Sequence, residues 1–152
     1  MTEIALSAPI AVRRAIVAHA RRDRPRECCG FLVGSGRRVH HAVPMPNVAP
    51  GETRYRVDDR AHIELRQRLR QFAPPLGIVG VYHSHPNGRA EPSPSDVAEA
   101  RYPEWIHVIV GLGGGAARVR AFRIARGRVR PVALRWQAAR RHERGATPRN
   151  QI

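Results

Sequence analysis

The sequence predicts a single α/β domain, a mixed sheet with helices packed against it. Length and composition are the first reason: 152 residues with 42% apolar content suit one globular core. The second is periodicity, because apolar runs of strand length are interleaved with stretches of helical spacing. The third is order. Helix, strands, helix, strands, short helix, strands is not the order of a regular βαβ array.

Taken from the N-terminus, Ser7 reads as an N-cap and Pro9 as a first-turn proline, opening a helix over about residues 8–22. Ala11, Ala15 and Ala18 with Val12 and Ile16 form its apolar face, and Pro25 stops it. Residues 28–34, CCGFLVG, read as a buried strand. Val39 to Met45 is a second, ended by Pro44 and Pro46, and Thr53 to Val57 a short third. Asp58 resembles an N-cap for a helix over about 59–72, with Ala61, Leu65, Leu69 and Phe72 on one face and Pro74 and Pro75 beyond. Residues 77–83 are an apolar strand, followed by a Pro-, Gly- and Asn-rich loop over 86–94. Ser95 or Ser93 caps a short helix through Val97, Ala98 and Ala100. Trp105 to Val110 is a strand and Gly111 to Gly115 a turn. Two arginine-rich strands, about 117–124 and 128–135, then form a hairpin at Gly127, with one wet face. The domain is expected over 1–136, with a basic, flexible tail over 137–152.

Composition narrows the function. No apolar run approaches the roughly 20 residues of a membrane span. The first 25 residues carry arginines on both sides of their apolar positions, which reads as fold rather than signal peptide. Cys28 and Cys29 are the only cysteines, and neighbours in a strand face opposite ways. They predict buried, unbridged thiols, no CxxC metal site and a reducing, cytoplasmic location. The formal net charge is +15, and all 27 basic residues are arginine. Either arginine replaces lysine throughout, or the surface attracts an acidic protein partner. Nucleic acid is disfavoured, since the arginines are spread along the chain and aromatic content is only 5%.

The chemistry is concentrated between His83 and Asp96. His83 and His85 end an apolar strand two residues apart, so both imidazoles project to one face and can converge on one ion. The loop folds the chain back and brings Asp96, near a helix start, as an oxygen ligand. Two histidines and one carboxylate leave a fourth position open, as a catalytic zinc site requires. Hydrolysis also needs a proton acceptor and an oxyanion donor. Ser93, three residues before Asp96, could be the donor. Glu27 is the best candidate for the base, because a charged group has little other reason to stand just ahead of an apolar strand.

These residues resemble the JAMM, or MPN-plus, metallopeptidase family. Its pattern is a Glu, then His-Ser/Thr-His, seven residues, Ser, two residues, Asp. Here that reads Glu27, His83-Ser84-His85, PNGRAEP, Ser93, Pro94-Ser95, Asp96, without departure. Residues 25–30, with Gly34, resemble the prokaryotic branch, and the likeness covers about 8–125. The resemblance implies a three-layer α/β fold, a curved mixed sheet flanked by helices and similar to cytidine deaminases. It implies one zinc per chain on His83, His85 and Asp96, with Glu27 as general acid/base and Ser93 stabilising the tetrahedral intermediate. It implies cleavage after the Gly-Gly tail of a small ubiquitin-like or sulfur-carrier protein. The deaminase pattern itself, H-x-E with P-C-x-x-C, is absent from the sequence. His40 and His41, adjacent and unable to share a face, read as strand residues. His19, His62, His107 and His142 lack partners in sequence and read as ordinary surface or core histidines, and Ser84 as a hydrogen-bonding neighbour of the site. The rival is a non-catalytic module of the same fold that uses the basic surface to bind protein or nucleic acid.

Overall fold

The computed structural model describes residues 4–139. Ten elements follow one another: β1 (Ala5–Pro9), α1 (Ile10–Asp23), β2 (Cys29–Ser35), β3 (Arg38–Met45), α2 (Asp59–Leu69), β4 (Gly77–His85), α3 (Pro94–Glu99), β5 (Ile106–Gly111), β6 (Arg118–Ala125) and β7 (Arg128–Gln137). The strands lie in the order β3-β2-β4-β5-β6-β7, antiparallel except where β4 meets β5. β1 runs parallel to β7 along its whole length and touches β3 through the single pair Ser7 and Arg38. It thereby joins the two edges, so the expected curvature continues to closure of the sheet into a barrel.

Helices cover both faces. On one, α1 buries Val12, Ile16, Val17 and Ala20 against Leu32, Tyr82, Val108 and Val110. On the other, Leu65 and Leu69 of α2 meet Phe31, Val33, Val81 and Trp105. Asp58 caps α2 by accepting from the Ala61 N–H at 2.8 Å, as the sequence indicates. Both cysteines are buried and free.

Several expectations are corrected. Ser7 is not a cap: its N–H donates to the Arg37 carbonyl at 3.0 Å inside β1, and Pro9 occupies the N-cap position of α1. The buried face of α1 leaves Ala11, Ala15 and Ala18 exposed, because larger side chains on the adjoining stripe cover more of the sheet. Thr53 to Val57 is not a strand. Only Val57 pairs, in one bridge to Asn47, and the Asn47 side chain takes up backbone groups that a ladder would use. Ser93, not Ser95, caps α3. Phe72 packs at the α2 face from beyond that helix, which ends at Leu69. The tail expected over 137–152 lies largely outside the described residues, as does His142; Gln137 still belongs to β7.

β4 positions the site. It is central, with Cys29 of β2 on one side of His83 and Ile109 of β5 on the other. Alternation sends Val81, His83 and His85 to the α2 and α3 face, and Tyr82 and Ser84 to the α1 face. Gly30 makes room for this, since a Cβ there would collide with the Tyr82 ring.

Candidate metal centre and active site

His83, fully buried, and His85, at the strand end, bring their Nε2 atoms to 3.1 Å from each other. Asp96 Oδ2 lies 3.2 Å from each of them. Three ligand-type atoms thus form a nearly equilateral triangle. Bonds of about 2.0–2.1 Å at tetrahedral angles would place such atoms about 3.3–3.4 Å apart. The triangle therefore fits a small divalent cation with little adjustment, and the cluster is compatible with a metal site.

The surroundings fix each ligand. His85 Nδ1 stands 2.9 Å from the Arg89 carbonyl. A carbonyl only accepts, so Nδ1 carries the hydrogen and the neutral ring turns the Nε2 lone pair to the cluster. The loop that offers this carbonyl is docked on the β5–β6 turn: Leu112 N–H donates to the His85 carbonyl at 3.1 Å and Gly113 N–H to that of Gly88 at 3.1 Å. Asp96 is fixed by the start of α3. Ser93 N–H donates to Oδ2 at 2.8 Å, while Ser93 Oγ accepts from the Asp96 N–H at 3.1 Å. This capping box ends a helix and aims a ligand with the same pair of bonds. Ser84 is buried on the opposite face, where its hydroxyl accepts from Cys28 N–H at 2.9 Å and ties β4 to the approach of β2.

Charge follows from this geometry. Burial alone would raise Asp96, but the bonds and charge of His83 and His85, with the Ser93 N–H, outweigh it and hold its carboxyl well below the ordinary range. Burial lowers His83. Burial also opposes charge on His85, yet the Asp96 bond and the Arg89 carbonyl prevail and raise it. Asp96 is therefore held ionised and His85 inclines to its charged form, a charge arrangement compatible with a metal site.

Glu27 stands outside the triangle, its Oε1 at 4.0 Å from His85 Nε2 and its Oε2 buried without a partner among the described residues. Burial pushes its carboxyl up to about 7, with Asp96 and Glu99 adding to the rise and His85 opposing it. All five residues singled out in sequence therefore meet at one place: His83, His85 and Asp96 as the cluster, Glu27 beside it, and Ser93 at the helix start.

Other neighbours escaped sequence reasoning. The Tyr55 ring stacks on His83, with centroids 4.4 Å apart and planes at 22°. Asn47 holds the loop that carries it. The only sequence signals were an aromatic between arginines and an Asn in a Pro/Gly-rich stretch. His107 is a core histidine, buried on the site face with neither ring nitrogen paired among the described residues. His19 is not partnerless: its Nδ1 lies 2.8 Å from the Tyr82 hydroxyl and its Nε2 3.1 Å from Asp23.

A mixed sheet with helices on both faces, carrying this three-ligand cluster at the end of its central strand, defines an α/β protein with a metal-compatible site. The chain belongs to the family described as prokaryotic homologs of the JAB domain, which matches residues 9–125. This is the family that the Glu27 to Asp96 pattern resembles. Among curated relatives, a probable TtuB-protein conjugate cleaving protease of Thermus thermophilus is 39% identical over 111 residues, 72% of this chain and 70% of that one. A CysO-cysteine peptidase of Mycobacterium tuberculosis is 38% identical over 119 residues, covering 76% and 80%. The solution structure of a protein from Desulfitobacterium hafniense has a TM-score of 0.80 at 23% identity, over 93% of this chain and 99% of that one, a likeness of fold alone.

Proposed function

We propose that the protein is a zinc-dependent peptidase or isopeptidase that hydrolyses the bond after the C-terminal Gly-Gly of a small ubiquitin-like or sulfur-carrier protein. The observation that carries this reading is the triangle of His83, His85 and Asp96 with an uncharged-leaning Glu27 at 4.0 Å. The relatives named as a conjugate-cleaving protease and a cysteine peptidase support the substrate class.

His83, His85 and Asp96 would hold one zinc per chain. A bound zinc supplies Lewis acidity, which acidifies water towards neutrality and polarises a carbonyl. Glu27, beside the cluster at 4.0 Å from His85, takes a proton from the attacking water and returns it to the leaving amine. Ser93 Oγ already accepts from Asp96 N–H, so its hydrogen is free to donate to the developing oxyanion, with Ser95 Oγ at 3.0 Å as the resting partner. Glycines at the last two tail positions carry no side chain to collide with the residues around the cluster. The carrier's body supplies most of the affinity, and the net charge of +15 favours an acidic one. The catalytic domain reaches through Gln137 at the end of β7, the sequence beyond it is basic, and the enzyme works in the cytoplasm.

The test is a carrier joined through Gly-Gly to a reporter, with Gly→Ala at each of the last two positions and elemental analysis alongside. Cleavage of the glycine fusion alone, with about one zinc per chain, is the expected result. Equal cleavage of the alanine series, or of unfolded peptides, would refute the substrate assignment.

A further inference from the structure

The segment from Asn47 to Val57 is a loop, yet it is bound closely to Arg26 and to the backbone of Glu27. Asn47 uses its whole amide. Its Nδ2 donates to the Glu27 carbonyl at 2.9 Å and to the Arg54 carbonyl at 3.0 Å. Its Oδ1 accepts from Ala49 N–H and Arg56 N–H, each at 3.0 Å. That is the full capacity of a carboxamide. Arg26 adds a second clamp, donating to the carbonyls of Asn47, Ala49 and Gly51 at 3.3, 2.7 and 3.3 Å. Glu27 N–H donates to the Glu52 carbonyl at 3.2 Å. The same loop ends by laying Tyr55 on His83.

We infer that Asn47 is a positioning residue. One carboxamide sets the backbone of Glu27 and, through Arg54 and Arg56, the stacking of Tyr55 on His83, so that the two flanks of the site are held in register before substrate arrives. The catalytic half of this inference rests on the peptidase reading; the Tyr55 half does not.

The test uses Asn47→Asp and Asn47→Ala in the full chain. Aspartate keeps the acceptor bonds from Ala49 and Arg56 N–H and loses the donor bonds to the Glu27 and Arg54 carbonyls, whereas alanine loses all four. Ile16→Val, in the core under α1, serves as a control that destabilises the protein away from the site. Both Asn47 variants should retain zinc and lower kcat roughly 10- to 100-fold, the scale of a small misplacement of a reacting group. KM should stay within about twofold, since contacts to the carrier's body are untouched. In the metal-free protein, the His83 ring protons should lose the ring-current shift imposed by Tyr55. Wild-type kcat in Asn47→Asp, an unmoved His83 signal in both variants, or an equal kcat loss in Ile16→Val would each overturn the inference. If the unaltered protein cleaves no conjugate, the peptidase reading fails, and the His83 signal alone decides whether Asn47 sets the stack.

Discussion

The two faces of the sheet treat buried polar groups differently. On the α1 face, the Tyr82 hydroxyl meets His19, His19 meets Asp23, and Ser84 accepts from Cys28. On the other face stand the buried polar atoms without a partner among the described residues: Glu27 Oε2, His83 Nδ1 and both nitrogens of His107. An unpaired buried polar group costs about 1–3 kcal/mol. One face therefore contributes stability through satisfied bonds, while the other keeps groups ready for partners that the chain does not supply. A single strand serves both, because alternation along His83-Ser84-His85 sends the outer two residues to the site and the middle one to the opposite core.

Substitutions can separate these roles. The largest effect is expected from Asp96→Ala, which removes one vertex of the triangle and the capping box of α3 together. Peptidase activity should vanish, and zinc affinity should fall by more than the roughly 10- to 100-fold that an outer-shell partner is worth. Elemental analysis after dialysis checks the metal, and an unchanged near-ultraviolet dichroism of Tyr82 and its surroundings checks the α1 face. Glu27→Gln comes next, with zinc retained and kcat lowered about 10²- to 10⁴-fold. Loss of the metal in that variant would show Glu27 to be a ligand.

A smaller effect lies in pH. The Glu27 carboxyl is held near 7 in the folded chain against 4.5 as its ordinary value. Between those values the native state keeps a proton that the unfolded chain has released, so stability declines as pH rises through the window and levels off above it. Glutamine has no such proton. The stability of metal-free Glu27→Gln relative to the unaltered protein should therefore grow from pH 4.5 to 7, by at most about 3 kcal/mol. Urea titrations across that range read the difference, and a flat difference would contradict the buried-carboxyl account. Smallest is Tyr82→Phe on the paired face. It leaves His19 Nδ1 without its partner and should cost about 1–2 kcal/mol while kcat stays unchanged.

Much of this was legible in the residues. The spacing from His83 to Asp96 is local, and one strand end, one loop and one helix start suffice to converge the three ligands. Glu27 was legible because a charge beside an apolar strand needs a reason. β1 was not, since its five residues acquire strand structure only by pairing with β7, more than a hundred residues away. Ser7 followed by Pro9 gives the same local signal whether it caps a helix or ends a strand. Tyr55 was hidden for a related reason: its place depends on Asn47 and Arg26 reaching across to a loop, and periodicity carries no trace of side chains that bind carbonyls.

Gly111 ends β5 and Gly113 and Gly114 lie in the turn that follows, but the space beside them differs. A Cβ on Gly111 would collide with the backbone of Ala90, and one on Gly113 would stand 2.8 Å from the Asn87 carbonyl carbon and oxygen. At Gly114 it would meet nothing within 4 Å. A side chain at Gly114 is sterically free, while one at Gly111 or Gly113 would displace the 87–90 backbone, although neither glycine touches a ligand atom. They keep the 87–90 loop close enough for Arg89 to orient His85. The geometry of this site thus depends on residues well past its recognisable motif, on two glycines whose contribution is the volume they leave empty.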